Sequence, residues 1–145
     1  MPLIERIDSR HFEIPLKKFD FDAKHGDHTH SKFITTIVRL SDGTHGNGYF
    51  YTGGRGGKEI TAMIRHDLAP YLAGIDCEDI DALYDDTQLH VHYVGCGGVA
   101  SFAISVVDTE LWDIRGKQES EPLHRMAGGA NTQTKAYCGG IDLNF

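Results

Sequence analysis

The segment 103-AISVVDTELWDIRGK-117 decides the fold of this chain. Its apolar residues recur at steps of three and four, which places them on one stripe of a helix with 3.6 residues per turn. The stripe consists of Ile104, Val107, Leu111 and Ile114. Pro122 cannot continue such a helix because it has no backbone N–H to donate. The spacing therefore predicts one long helix over about 98–117, with one face buried.

Three strands are predicted before this helix. Residues 3–16 alternate moderately between polar and apolar side chains, as an edge strand does, and residues 17–31 are predicted to form a loop. Residues 33–40 are rich in β-branched side chains. Residues 48–52 follow the turn sequence Ser41-Asp42-Gly43, in which glycine can adopt a positive φ. These segments predict an antiparallel meander.

Two further helices are expected between the meander and the long helix. The first runs from Lys58 to about Leu72, with an apolar face formed by Ile60, Met63, Ile64 and Leu68. The second is predicted to have Asp76 as its N-cap and an inner face formed by Ile80, Leu83 and Tyr84. The fold class predicted by this order is α+β, a three-stranded antiparallel meander followed by a helical bundle. A short strand is expected near the end, over 134–138.

The composition excludes several classes of partner. A chain of 145 residues with a formal net charge of −7 lacks the clustered Lys and Arg that bind nucleic acid. No segment approaches the roughly 18 apolar residues of a membrane-spanning helix, and the first residues lack the pattern of a secretion signal. The cysteines are odd in number and not closely paired, which is typical of free thiols in a reducing compartment. We therefore expect a cytoplasmic protein with no nucleic-acid and no membrane partner.

The polar residues of the long helix carry a resemblance to a known family. The patterns Ala-x-Ser-x-x-Asp, Leu-Trp-Asp-Ile-x-Gly-Lys and Pro-Leu-x-x-x-x-Gly within 103–128 closely resemble the N-terminal signature of the mandelate racemase and muconate lactonizing enzyme family, in the enolase superfamily. Residues 36–48 and 68–76 resemble the hairpin and the first helix end of that family's cap domain. The chain departs from the pattern at Glu110, where the family usually has a small residue, and at 126–127, where it usually has larger aliphatic residues.

The resemblance implies a domain organisation. Residues 1–130 would form an enolase N-terminal-like capping domain, and residues 131–145 would begin a C-terminal (β/α) barrel domain whose remaining strands are absent from this sequence. Family members abstract the proton next to a substrate carboxylate and stabilise the product with Mg²⁺. The bases and metal ligands lie at the ends of barrel strands. The resemblance therefore implies no catalytic residue and no metal ligand in this chain, which alone is expected to be inactive.

The part of the site that a cap domain does supply is a lid of two mobile loops over the barrel mouth. By position, residues 17–30 and 51–57 match these loops. The side chains with cationic or hydrogen-bonding groups suited to a carboxylate or hydroxyl substrate are Lys24, His25, His28, His30, Tyr51 and Arg55. They are the predicted substrate-binding residues, although a solvated loop side chain is the alternative for each of them.

The resemblance leaves several functions open. The polar lid favours an acid-sugar dehydratase, acting on aldonates or aldarates in carbohydrate acid metabolism, over a racemase or cycloisomerase of the same family. A second possibility, from a different class, is a non-catalytic cap fragment or binding module that needs a barrel from another chain. The expected partners are a small-molecule carboxylate, the missing barrel domain or second chain, and further copies in a homo-oligomer.

Two other groups of residues can be interpreted either as structural or as metal-binding or catalytic. The histidines of 25–30, and His90 and His92 with Cys96, could contribute to a zinc site, but neither segment has paired Cys-x-x-Cys ligands. A charged imidazole is also favourable at a helix C-terminus, so a structural role is preferred for the second cluster. The polar residues of the signature, Asp108, Trp112 and Asp113, are likewise interpreted as packing and hydrogen-bonding residues.

Overall fold

The sheet of the computed structural model has three antiparallel strands in the order β1-β2-β3. The structure describes residues 2–22, 26–95 and 97–136. The strands are β1 (Ile4–Asp22), β2 (Gly26–Leu40) and β3 (His45–Thr52). Gly43 has a φ of 88° in the turn between β2 and β3, a conformation that favours glycine. The predicted meander and its Ser41-Asp42-Gly43 turn are confirmed.

The prediction of a loop over 17–31 was wrong. β1 continues to Asp22 and β2 begins at Gly26, with Asp22 paired to Gly26 and a register irregularity between Pro15 and Asp20. Residues 18–22 alternate charged and aromatic side chains, the period of a strand, but the segment has no long apolar run. Two strands that pair only with each other can have polar side chains on both faces, which explains why the hydrophobic pattern gave no signal.

The first helix is continuous over 57–72 but changes its hydrogen-bonding pattern. It consists of α1 (Gly57–Met63), a π-helical segment (Ile64–Leu68) and α2 (Ala69–Leu72). The N–H of Ala69 donates to the carbonyl of Ile64, five residues earlier. Pro70 follows directly and cannot donate a backbone hydrogen bond, so a wider turn precedes it. The helix and its four-residue apolar face are confirmed, because all four side chains are buried.

The remaining helices are α3 (Ile80–His90), α4 (Val99–Glu119) and α5 (Leu123–Met126). α4 is the long helix predicted from the signature segment. The N-cap of α3 is Asp79, whose carboxylate accepts a hydrogen bond from the N–H of Ala82, so the prediction of Asp76 was wrong. Asp76 instead accepts from the N–H of Glu78 within the preceding loop. Tyr84 is exposed rather than part of the inner face.

The core lies between one face of the sheet and the helices. It consists of alternate residues of the strands and the apolar stripes of the helices, among them Ile4, Ile34, Val38, Leu40, Ile64, Leu68, Leu72, Ile104, Leu111 and Ile114. α4 packs on β3 and β2, and α3 packs on α4. The predicted stripe of α4 therefore faces the sheet, as its spacing requires.

Glu110, the departure from the family pattern, lies at the centre of this contact. Its side chain is 0% exposed, and neither carboxyl oxygen has a hydrogen bond to any residue that the structure describes. Burial raises the pKa of Glu110 to about 9, and the nearby N–H groups of Gly48 and Val38, outside hydrogen-bond geometry, lower it only in part. The carboxyl group is therefore protonated at neutral pH.

Glycines in β3 make room for this helix. A Cβ atom at Gly46 would overlap the backbone carbonyl oxygen of Glu110. A Cβ atom at Gly48 would lie 2.8 Å from the Glu110 Cγ and 2.8 Å from the Val106 carbonyl oxygen. The backbone of α4 can approach β3 this closely only because both positions lack a side chain.

The end of the described chain is not part of the sheet. The predicted strand over 134–138 was wrong for residues 134–136, which have no regular secondary structure, and its last two residues lie outside the described ranges. Within the described part of the chain, no helix is both long and apolar enough to cross a membrane.

Candidate substrate lid

The two predicted lid segments start from the same end of the sheet. The ladder between β2 and β3 ends at the pair Lys32 and Thr52, and Lys32 also pairs with Glu13 of β1. Beyond this point β1 and β2 continue as a two-stranded hairpin formed by 14–22 and 26–31, which we call the hairpin extension. The connection 53–56 between β3 and α1 begins at the same row. The register alone therefore brings both segments together.

The structure places only part of the predicted histidine cluster. Lys24 and His25 lie outside the described residues, and of His28 only the backbone, within β2, is described. His30 is exposed, pairs with Pro15 across the ladder, and its Nδ1 lies 2.9 Å from the Thr29 Oγ1. Of the predicted lid residues of segment 17–30, His30 is therefore the one whose side chain the structure describes.

The second segment carries Tyr51 and Arg55, and both side chains are exposed. Arg55 lies between Gly54 and Gly56, whose φ values are 96° and 80°. Such values favour glycine and allow the sharp bend that presents Arg55 to solvent. The ring of Tyr51 lies 5.4 Å from that of Phe33, centroid to centroid.

The predicted lid residues do not all point the same way. Alternation along β2 puts His30 on the same face as Lys32, the face towards the helices. Tyr51 pairs with Phe33 and lies on the opposite face of the sheet. His30 and Tyr51 are thus on different sides, and Tyr51 is the less suitable substrate contact of the two.

A polar cleft of about 190 Å³ lies where the hairpin extension meets the connection 53–56. We call it the lid-root cleft; it is lined by His11, Glu13, Lys32, Lys58, Glu59 and the glycines at 54, 56 and 57. The Lys32 Nζ lies 3.2 Å from the Glu13 Oε1. The hydrogen bond and the charge of Lys32 lower the pKa of Glu13.

His11 is the least satisfied polar group of this cleft. Its Nε2 is buried and has no hydrogen bond among the described residues. A Cβ atom at Gly57 would lie 2.5 Å from this nitrogen, so the start of α1 rests directly on the imidazole. Sequence reasoning missed His11, Glu13 and Lys32, because their proximity depends on the β1–β2 register. A predicted continuation of the hairpin could have aligned Glu13 with Lys32.

The described residues do not form a metal site. No group of three His, Cys, Asp or Glu side chains is arranged to hold an ion within 2–22, 26–95 and 97–136. Mg²⁺ needs carboxylate or other oxygen ligands in near-octahedral geometry, which this part of the chain does not offer. Of the second predicted cluster, His90 stacks on Tyr71 with centroids 3.8 Å apart, and His92 Nδ1 lies 2.8 Å from the Leu89 carbonyl oxygen. Cys96 lies outside the described residues.

The signature residues of α4 hold the domain together. The Asp113 Oδ2 accepts hydrogen bonds from the Asn47 N–H at 2.9 Å and the Lys117 Nζ at 2.7 Å, which joins α4 to β3. Burial alone would raise the pKa of Asp113, but these two donors outweigh it and lower the pKa. Burial, and secondarily the charge of Asp81, raises the pKa of Asp108, partly offset by a hydrogen bond from Trp112. These contacts agree with the structural interpretation of the signature.

Comparison with known proteins gives the context for this lid. The sequence profile of the mandelate racemase / muconate lactonizing enzyme N-terminal domain matches residues 16–128. The chain is 38% identical over 143 residues to a 3,6-anhydro-α-L-galactonate cycloisomerase of Streptomyces coelicolor, covering 99% of this chain and 40% of that protein. It is 33% identical over 109 residues to an L-talarate/galactarate dehydratase of Salmonella typhimurium, covering 75% of this chain and 27% of the relative.

Solved structures are similar as well. A racemase from Streptomyces coelicolor A3(2) with bound magnesium superposes with a TM-score of 0.77 and 38% identity, over 81% of this chain and 33% of that one. The Salmonella typhimurium dehydratase, liganded with Mg and L-lyxarohydroxamate, gives a TM-score of 0.81 and 30% identity, over 90% and 34%. The chain thus spans well under half the length of the proteins it resembles.

Proposed function

Because the chain belongs to the mandelate racemase and muconate lactonizing enzyme family, whose N-terminal domain it matches, we propose that it is the substrate-capping part of a Mg²⁺-dependent enzyme. In this proposal residues 1–130 form the capping domain and residues 131–145 begin the barrel domain. The barrel, in continuous sequence or in a second chain, supplies the bases and the metal ligands. Mg²⁺, when bound there, stabilises the negative charge that develops when the proton next to a carboxylate is removed. The chain alone is inactive.

The substrate class we propose is an acid sugar, and the reaction is dehydration. The observation that carries this choice is the polarity of the lid-root cleft, which is lined by charged side chains, an imidazole and glycines. An aromatic acid would call for an apolar lid. Two relatives, the L-talarate/galactarate dehydratase and an arabinonate dehydratase of Saccharolobus solfataricus at 33% identity, are dehydratases by name.

Cycloisomerisation or racemisation is the second candidate. It is favoured by one specific observation, the cycloisomerase of Streptomyces coelicolor at 38% identity over 99% of this chain. Both reactions begin with removal of the proton next to a carboxylate, so they place the same demands on a lid. The two candidates differ in what leaves the substrate, which is a step of the barrel.

The lid residues have distinct proposed roles. Arg55, exposed between two glycines, is suited to bind a carboxylate with two parallel hydrogen bonds when the connection 53–56 closes. His30 and Lys32 share one face of β2 and are suited to contact substrate hydroxyls there. Lys24, His25 and His28 remain proposed substrate contacts of the first lid segment, 17–30, and Tyr51 remains the weakest candidate. Closure of both segments would exclude water from the barrel mouth.

Self-association and a cytoplasmic location complete the proposal. Self-association is supported by the exposed aromatic side chains on the uncovered face of the sheet. A reducing location is supported by the odd number of cysteines, which are not closely paired in the sequence.

The test starts from the genetic context of the chain. Sequencing beyond the codon for Phe145 should reveal a barrel with spaced acidic strand ends, or a separate chain with these features should co-purify. The complete protein is then incubated with Mg²⁺ and a panel of aldonates, aldarates and anhydro-sugar acids. Dehydration is detected as a 2-keto product lighter than the substrate by one water, and cycloisomerisation as a product of unchanged mass. No turnover of any acid sugar would contradict the proposed substrate class. Activity of the 145-residue chain alone would contradict the proposal that the barrel supplies the bases and the metal ligands.

A further inference from the structure

The face of the sheet that turns away from the helices is not covered by any residue in the described part of the chain. Alternation along β2 buries Ile34, Thr36, Val38 and Leu40 against the helices, at 0–1% exposure. The intervening residues of β2 and their partners on β1 and β3 form the opposite side, which we call the outer sheet face. Its residues are arranged in rows across the three strands.

One end of the outer sheet face is basic. Arg6, Arg39 and His45 are directly paired across the three strands, so three basic side chains form one row. Like charges directly opposite each other destabilise a sheet. Asp8 relieves this repulsion in part, because its Oδ2 lies 3.1 Å from the Arg6 Nε and 3.6 Å from the Arg39 Nε. The Arg39 Nε is buried and has no hydrogen bond within the described ranges.

The basic row continues along an open groove of about 670 Å³, which is also lined by Arg10 and Arg65. Four guanidinium groups thus line the groove together with a single carboxylate, that of Asp8. This excess of positive charge lies on a chain with a net charge of −7. The groove is therefore complementary in charge to carboxylates.

The other end of the outer sheet face is aromatic. Phe12, Phe33 and Tyr51 form a row across the three strands. Phe12 and Tyr51 are both exposed. Phe12 lies six positions after Arg6 in β1, so the basic and aromatic rows are about 20 Å apart at about 3.3 Å per residue. Because the groove also contains Arg10, two residues before Phe12, a complementary partner must carry apolar side chains about 7 to 20 Å from its carboxylates.

The chain itself carries such a surface on α3 and the turn that follows it. Asp81, Asp85 and Asp86 are exposed on the helix, away from buried Ile80, Leu83 and Thr87. At the C-terminal end, Leu89, Tyr93 and Val94 are 67%, 94% and 70% exposed. Along α3, Leu89 lies about 12 Å from Asp81 and about 6 Å from Asp85, and Tyr93 and Val94 follow in the turn after His90. We call this surface the α3 ridge.

We propose that the outer sheet face binds the α3 ridge of a second copy of this chain, with the aspartates on the arginine groove and the apolar end on the aromatic row. This inference deepens the self-association proposed above and rests on it. α3 packs on α4, and α4 packs on the inner face of the sheet, so the ridge and the outer sheet face lie on opposite sides of the molecule. The contact is therefore head-to-tail and gives rings or open chains rather than a symmetric dimer.

Two charge-reversed variants test this contact. The first, Arg6→Glu with Arg10→Glu, alters only the sheet face. The second, Asp85→Lys with Asp86→Lys, alters only the ridge. All four side chains are exposed, so both proteins should fold, which circular dichroism and thermal melting check. The matched control is Asp67→Lys with Glu121→Lys, two exposed acids outside both surfaces.

Sedimentation equilibrium over a concentration series at low salt gives the readout. We expect the unaltered chain and the control to associate, and each test variant to associate roughly tenfold or more weakly. An equimolar mixture of the two variants should form dimers and nothing larger, because each protein retains one unaltered surface that fits the other.

The outcomes separate the inference from the broader proposal. A chain that stays monomeric would overturn both the docking contact and self-association. Association that is equally strong in both variants would overturn the docking contact and leave self-association standing. Variants that stay monomeric both alone and when mixed would show that the two surfaces do not bind each other, which overturns the head-to-tail contact.

Discussion

At the end of the sheet near the turn 41–44, which we call the packed end, β3 approaches α4 so closely that only glycine fits at positions 46 and 48. At the opposite end, which we call the lid end, β1 and β2 continue beyond the sheet as the hairpin extension. The packed end contains the buried side chains of Val38, Leu40 and Ile114, at 0–1% exposure. The lid end combines the hairpin extension, the glycine-rich connection 53–56 and a cleft of charged groups. The difference indicates that one end supplies the stability of the domain and the other presents groups for binding.

The largest effect is expected from Gly46→Ala at the packed end. The new Cβ atom would overlap the Glu110 carbonyl oxygen, which belongs to a helix backbone and cannot rotate away. Overpacking of this kind costs about 1–3 kcal/mol and sometimes more. We expect a marked fall in the free energy of unfolding, measured by urea denaturation.

The matched control is Gly53→Ala at the lid end, where no atom lies within 4 Å of the new Cβ and φ is not positive. It should change the free energy of unfolding by only a few tenths of a kcal/mol. Equal losses in the two variants would show that the two ends do not differ in packing as described.

The second effect concerns the pH dependence that Glu110 confers. The pKa of its carboxyl is raised from 4.5 to about 9 in the folded chain. The folded protein therefore holds a proton that the unfolded chain releases between these pH values. This contribution to stability is fully present below pH 4.5 and is lost as the pH rises to about 9, by at most about 1.4 kcal/mol per pH unit.

We expect Glu110→Gln to flatten this decline, because the amide has a similar shape and no charge to release. Denaturation midpoints at a series of pH values give the measurement. Asp113, whose charge also raises the pKa of Glu110, is unchanged in this variant. Glu119→Gln, on the exposed side of α4, is the control and should keep the decline. Parallel pH profiles for the unaltered chain and Glu110→Gln would refute the assignment of a neutral buried carboxyl.

The packed end was largely predictable from the sequence, and the reason is periodicity. The stripe on α4 and the face of 57–72 follow a 3.6-residue spacing, because one side of each helix must be buried. The N-cap of α3 was misplaced because Asp76 and Asp79 are both acceptable caps, and only the backbone path decides between them. The role of Glu110 could be noticed only as a departure from a family pattern.

The lid end was less predictable. The loop interpretation of 17–31 failed because a two-stranded extension needs no buried face and so leaves no hydrophobic signature. Arg55 could be selected from its flanking glycines, whose conformation depends on local sequence. His11 and Lys32 could not, because their proximity depends on the strand register, and the predicted loop hid the continuation of that register.

The smallest effect on stability is expected from Arg55→Ala at the lid end. The comparison is with an arginine of α4, Arg115. Arg55 is exposed in a connection with few packing neighbours, so its loss should change the free energy of unfolding by less than about 0.5 kcal/mol. Arg115→Ala on α4 is the matched change, because that guanidinium pairs with Glu119 at 2.8 Å and lies 6.0 Å from the centre of the Trp112 ring. We expect Arg115→Ala to be the more destabilising of the two.

In the complete protein the order of the two variants should reverse. A lid residue that binds the substrate carboxylate contributes to affinity and not to folding, so Arg55→Ala should raise KM for an acid sugar while the melting temperature stays unchanged. Arg55→Lys keeps the charge but loses the paired hydrogen bonds, and should recover only part of the affinity. Full activity of Arg55→Ala would show that this arginine does not bind the substrate. A fall in melting temperature would show that it stabilises the fold instead.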